Sequence, residues 1–304
     1  MTLPNFFIIG AAKSGTTALY RYLRQHPEIF MTERKEPHHF SYTYVTKQTN
    51  GPNDYIRSAI TDDVEYEHLF DDVRDEKAIG EASPTYIYVP GTAERIFEKI
   101  PQAKLIAIFR NPSDRAYSAF MHCIRDNRET VSTFKEALYL EDERVNNHWG
   151  PIYHYKRMGF YCEQLTRYFK VFPQQQIKVV IYDDFSATPN LVISDLYQFL
   201  GVDSTFEPDM SSKPNVSGTP KNEVLQKAMN EIFAKPNPIR SIARFLFSDV
   251  VRWRVTSSLR NKNLEHVNMP EDMRNELISL FRSEIICLQS LIDRDLSNWL
   301  LPKD

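Results

Sequence analysis

The sequence has little of what would tie a protein to an oxidising compartment, a membrane or a polyanion. Only three cysteines occur in 304 residues, Cys123, Cys162 and Cys287, far apart and without CxxC spacing. An odd, scattered set argues against a disulfide framework or a zinc site and suits a reducing, cytoplasmic setting. No stretch approaches the roughly 18 apolar residues that span a bilayer. The first residues reach the apolar run Phe6–Ile9 without the basic region and long apolar core of a signal peptide. Without secretion, the glycosylation sequon at Asn215, Val216 and Ser217 reads as accidental. Neither charge is in excess: 37 Lys plus Arg stand against 40 Asp plus Glu, a net charge of -3. Nothing global therefore steers the chain toward nucleic acid or an anionic membrane, and any anion site must be built locally.

What is present is ample apolar material. At 42% hydrophobic and 12% aromatic residues, the chain can bury a large core. Three short apolar runs read as strands: Phe6–Ile9, Lys104–Phe109 and Ile177–Tyr182. Longer helical patterns separate them, which predicts a single α/β domain with a central, mostly parallel sheet and helices on both faces. Residues 62–76, with Val64, Leu69, Phe70 and Val73 at helical spacing, predict a helix with a solvated acidic face, or an acidic rim for a cationic acceptor. Residues 239–260 mix apolar residues with arginines and predict a helix packed over the core or lidding a pocket rather than lying on a membrane. Met273, Leu277, Leu280, Ile285, Leu288, Leu291 and Ile292 predict one core-facing helix. The clearest long loop is 208–222, rich in Pro, Ser and Asn, and nothing in it divides the chain into two domains.

The most informative stretch runs from Gly10 to Thr17, Gly-Ala-Ala-Lys-Ser-Gly-Thr-Thr, between the first strand and a helix through Leu19, Tyr22 and Leu23. A turn at a helix N-terminus offers unpaired N–H groups and the positive end of the helix dipole. Small residues let an anion approach, and Lys13 and the hydroxyls add charge and donors, so the stretch specifies a phosphate or sulfate cradle. It departs from the GxxxxGK[ST] loop of nucleotide hydrolases, because Lys13 precedes Gly15 instead of following it. A second anion site is signalled by Arg110 at the end of the Lys104–Phe109 strand. Helix-start residues Pro112, Ser113 and Asp114 follow, and then Ser118 one turn later. A guanidinium with a hydroxyl suits an isolated phosphate.

The octet resembles the 5′-phosphosulfate loop of sulfotransferases that use 3′-phosphoadenosine-5′-phosphosulfate (PAPS), in the style of the bacterial branch akin to heparan-sulfate N- and 3-O-sulfotransferases. The resemblance implies that Lys13, Ser14, Gly15, Thr16 and Thr17 hold the phosphosulfate and that Arg110 and Ser118 bind the 3′-phosphate. It further implies that the 208–222 loop folds over the cofactor through Lys213, Ser217 and Gly218. Glu36, in Lys35-Glu36-Pro37-His38-His39-Phe40, aligns with the family's catalytic base and His38 with the histidine after it. Pro37 and His39 depart from the family pattern, so either Glu36 or His38 takes the acceptor's proton. Glu81 and Tyr86 align with a stretch lining the acceptor side, while Tyr153, Tyr155 and Tyr161 read as core or pocket wall. No Cys or spaced carboxylate completes a metal set with His38 and His39. The implied activity is transfer of a sulfuryl group to a hydroxyl, or a nitrogen, of a small-molecule acceptor, a bacterial natural product. A glycan sulfotransferase, a P-loop nucleotide kinase using Asp183 and Asp184 for magnesium, and a non-catalytic binder are the alternatives.

Overall fold

The strand runs alternate in what they face. In the computed structural model, which describes residues 2–48, 50–52, 59–211, 219–220, 264–265 and 267–302, the first is β1 (Phe6–Gly10). Phe7 and Ile9 pack into one apolar cluster and Phe6 and Ile8 into another on the opposite face. β4 (Lys104–Phe109) does the same, with Leu105, Ala107 and Phe109 on one side and Ile106 and Ile108 on the other. Side chains of period two buried on both faces require layers above and below the sheet. β2 (Ile29–Met31), β3 (Ala78–Ala82) and β5 (Ile177–Ile181) complete five parallel strands in the order β2-β3-β1-β4-β5. From β1 the chain goes to the edge at β2, returns beside β1 as β3, then crosses to the other side at β4 and β5. That reversal opens a crevice at the C-terminal ends of β1 and β4, where open α/β sheets bind ligands.

One face is covered by α1 (Thr16–Leu23), α5 (Tyr182–Ala187) and α6 (Pro189–Leu200). α2 (Thr92–Lys99), α3 (Pro112–Arg125), α4 (Tyr161–Phe169) and α7 (Glu271–Ile292) supply the other. α3 begins where its sequence says it should. Pro112 is at the first position, and the Asn111 side chain accepts from the N–H groups of Ser113 at 2.9 Å and Asp114 at 3.4 Å. α7 buries Met273, Leu277, Ile285 and Leu288 as expected, whereas Leu280 remains on the solvent side.

Two expectations are corrected. Cys162 and Cys287 form a disulfide, 125 residues apart in sequence, because α4 and α7 pack side by side; only Cys123 is free. The scattered spacing concealed a pair that tertiary packing brings together. The acidic 62–76 segment is a short helix at Asp63–Glu67 that tightens into a 3-10 turn at His68–Phe70. Val64 points to solvent, while Tyr66 and Phe70 are buried. Asp63 is not part of a bare acidic face, since it meets His39 Nε2 at 3.1 Å and Lys99 Nζ at 3.0 Å. Among the described residues, no helix is long and apolar enough to cross a membrane and no group of acids, histidines and cysteines could hold a metal. Residues 239–260, the sequon, Lys213, Ser217 and Gly218 lie outside the described residues.

Candidate active site

The loop after β1 is shaped by what its residues must avoid. A Cβ at Gly10 would lie 2.3 Å from Ile87 Cγ2, so only glycine lets the chain pass that wall. Gly15 takes φ 101 with Tyr182 packed against it, a left-handed conformation that admits glycine readily. The Ser14 N–H is bound to the Ala11 carbonyl at 3.2 Å. The N–H groups of Gly15, Thr16 and Thr17 have no backbone acceptor among the described residues, and they open the first turn of α1. Amides without a backbone acceptor at the positive end of a helix dipole are groups that an anion can bind. Ser14 departs from the expectation: its side chain is sealed under the loop beside the Tyr161 hydroxyl and does not reach the cavity.

Lys13 stands in the same cavity. Burial, with help from the Arg125 charge, lowers its ammonium pKa to about 7. A lysine whose charge is disfavoured by burial and by a neighbouring cation regains it when an anion lies beside it. Across the crevice Arg110 leaves the end of β4 with its guanidinium 5.0 Å from the centre of the Tyr182 ring, and Ser118 follows on the inner face of α3. All three line one cavity of about 590 Å³. Residues expected at two anion sites from separate stretches of sequence therefore line one cavity.

Glu36 and His38 enter this cavity from the segment after β2. Both adopt left-handed backbone, with φ 61 and 53. The Glu36 N–H is held by the Ala82 carbonyl at 3.0 Å, and the His38 N–H donates to Ser83 Oγ at 3.2 Å. The Glu36 carboxylate is paired with Lys35 and lies 3.9 Å from His38 Nε2. Burial works against its charge, but the neighbouring Lys35, His38 and Lys13 prevail and hold the carboxyl below its usual range. The His38 pKa is lowered as well: burial keeps its imidazole below the usual value, with Glu36 partly opposing. Its Nδ1 sits 2.8 Å from Thr85 Oγ1. At neutral pH the site thus presents an ionised Glu36 beside a neutral His38.

Glu81 and Tyr86 are not brought to the cavity. Both are fully buried beneath it. Burial raises the Glu81 carboxyl pKa to about 8, a hydrogen bond with the Tyr86 hydroxyl partly opposing. Tyr86 accepts the Phe40 N–H at 3.2 Å and so buttresses the segment that carries His38. Tyr153, Tyr155 and Tyr161 are core residues; Tyr161 stacks on Phe109 at 4.6 Å. Several cavity residues had no place in the sequence reading: Tyr182 and Phe185 near the loop, and His122, Arg125, Asp126 and Arg128 around the end of α3. His122 and Arg125 follow Ser118 by four and seven residues on a helix, a stripe that helical spacing alone would have marked.

The description of the sulfotransferase family matches residues 4–208 of this chain. A crystal structure of a sulfotransferase from Alicyclobacillus acidocaldarius superposes with a TM-score of 0.78 at 37% identity, covering 98% of this chain and 99% of that one. The membrane-associated sulfotransferase kil1 of Dictyostelium discoideum is 25% identical over 78% of this chain. The bifunctional heparan sulfate N-deacetylase/N-sulfotransferase 3 of Mus musculus is 29% identical over 66% of it. The match spans 64% of the length of the first curated relative and 22% of the second.

Proposed function

The chain belongs to the sulfotransferase family, and we propose on that premise that it transfers a sulfuryl group from PAPS to a hydroxyl of a small-molecule acceptor. The observation that carries this reading is the single crevice holding Lys13 with the free amides of Gly15–Thr17 on one side and Arg110 with Ser118 on the other. Two separate anion cradles in one cavity suit a nucleotide phosphorylated at both ends of its ribose, and the apolar Tyr22, Phe185 and Met210 that also line it suit its base.

In that arrangement Lys13 and the loop amides neutralise the phosphosulfate. They gain strength as negative charge collects on the bridging oxygen when the S–O bond to the 5′-phosphate breaks. Arg110 and Ser118 anchor the far phosphate and set the angle at which sulfur is presented. Glu36 accepts the acceptor's proton as the new S–O bond forms. The hydroxyl becomes acidic only as that bond develops, so a carboxylate below its usual pKa is base enough. His38, with Nε2 3.9 Å from Glu36, contributes no charge of its own. The alternative base is His38 itself, which is also neutral in this site.

Pro151, Ile152 and Met158 also line the cavity, and this partly apolar lining suits a small natural product. A glycan or an amine acceptor is the reading that failure of hydroxylated small molecules would bring forward. Cytoplasmic placement, expected from the cysteine count, loses its support with the Cys162–Cys287 bond. The test is incubation of the protein with sulfur-labelled PAPS and a panel of hydroxylated acceptors. Labelled product with matching release of adenosine 3′,5′-bisphosphate (PAP) is expected; nucleotide binding without turnover on any acceptor class would leave a binder. Stabilisation by ATP with magnesium but not by PAP would instead indicate a kinase.

A further inference from the structure

Arg125 lies at the end of α3, seven residues beyond Ser118 and on the same stripe as Ser118 and His122. At the helical rise, Arg125 stands about 10 Å along the axis from the Ser118 anion site. Its guanidinium does not swing freely. Nε donates to Asp126 Oδ1 at 2.8 Å, and Nη2 meets Asp126 Oδ2 at 3.2 Å and His122 Nδ1 at 2.7 Å. These contacts occupy one edge of the fork. The Nη1 group makes no protein hydrogen bond among the described residues, while the side chain, only 10% exposed, lines the cavity. Such pinning is what a preorganised anion contact needs, since the rotamer is fixed before the ligand arrives.

Arg125 lines the same cavity as Lys13 and Glu36, and its place about 10 Å along α3 from Ser118 sets it apart from the residues proposed to hold the far phosphate. Its charge also bears on Lys13. Among the described residues, Lys13, Arg110, Arg125 and Arg128 line the cavity with Glu36 and Asp126, a formally cationic lining that suits an anionic donor.

We propose that Arg125, positioned by Asp126 and His122, is a further catalytic residue whose outer guanidinium edge holds the oxygens of the sulfuryl group during transfer. The proposal rests on the donor reading above. It makes a distinction that reading does not: PAP lacks the sulfuryl group, so Arg125 contributes to binding of PAPS and not of PAP. Calorimetric titration of PAPS and PAP into wild type and Arg125→Met, without acceptor, reads this directly. PAPS affinity should fall about 10- to 100-fold in the variant, the span for loss of a charge-assisted contact, with less than about a twofold change for PAP. Turnover should fall by more than PAPS affinity, and Arg125→Lys should recover part of both. Asp126→Asn should reduce the PAPS-to-PAP ratio in the same sense, an effect that general loosening of the fold does not produce. Equal weakening of PAPS and PAP in Arg125→Lys or Arg125→Met would overturn the proposal. So would unchanged PAPS binding with a raised acceptor KM. If Arg125→Met fails to fold, Arg125→Lys and Asp126→Asn decide by the same ratio. Wild type that binds neither nucleotide removes the donor reading, whereas PAP binding with an unmoved ratio removes only Arg125.

Discussion

Raising the pH from 7 to 9 should weaken PAP binding, and Lys13 sets the amount. In the ligand-free protein burial and the Arg125 charge hold its pKa at about 7, against 10.5 for a free lysine. A bound phosphate favours the charged form, so the protein must take up a proton wherever Lys13 is neutral beforehand. With a pKa of about 7, roughly half the molecules are charged at pH 7 and about one in eleven at pH 8. Binding should then draw in about half a proton at pH 7 and about 0.9 at pH 8, and the Kd should rise about fivefold between them. The range above pH 7 avoids the second ionisation of the ligand's own phosphates, near pH 6. Calorimetry in buffers of different ionisation enthalpy gives proton uptake and Kd together. Lys13→Arg, charged throughout, should bind with no pH dependence over this interval, and Lys13→Met should bind weakly with none. The stability of the empty protein carries the matching sign. The unfolded chain keeps the lysine proton to about 10.5 and the folded chain only to about 7. The ligand-free protein should therefore gain stability as pH rises from 7 toward 10, and Lys13→Met should lose that gain. A Kd independent of pH between 7 and 9, with no proton uptake in the wild type, would refute this account of Lys13.

Glu36→Gln should lower kcat about 100- to 10,000-fold and leave PAP affinity nearly unchanged, as for loss of a general base; a loss of PAP affinity to match would move Glu36 into donor binding. The Glu81 carboxyl, protonated in the folded state up to about pH 8 and in the unfolded chain only to about 4.5, stabilises the fold below pH 4.5 and loses that contribution as pH rises through 8. The wild-type Tm should thus fall relative to that of Glu81→Gln between pH 5 and 8, and parallel curves would count against a neutral buried acid. Thiol titration in denaturant should find one reactive cysteine before reduction and three after. Opening a link between residues 125 apart should cost up to about 5 kcal/mol of unfolding free energy by loop entropy. Three thiols without reductant would contradict the pairing.

The parts of the fold legible in sequence were those governed by local pattern. β1 and β4 announced themselves as short apolar runs because both their faces are buried, and Asn111 with Pro112 fixed the start of α3 by capping geometry alone. The phosphate loop was legible because its glycines serve the backbone rather than side-chain packing. What escaped depended on contacts between distant segments. Nothing near Cys162 or Cys287 in sequence tells that α4 and α7 lie together. Glu81 and Tyr86 sit at a strand end close to the crevice, and only the packing of the Phe40 segment over them turns both into the interior. Asp63 looked like one acid in a solvated run until His39 and Lys99 met it from other elements.

The central claim is that Lys13 and Arg110 grip opposite ends of one adenosine. Titration of wild type and Arg110→Ala with PAP and with adenosine 5′-phosphate, in one buffer, tests it most directly. PAP should bind the wild type more tightly than adenosine 5′-phosphate by about 10- to 100-fold, the range for a charge-assisted phosphate contact. Arg110→Ala should erase most of that difference by weakening PAP alone. Equal weakening of both nucleotides, or a wild type indifferent to the 3′-phosphate, would contradict the account.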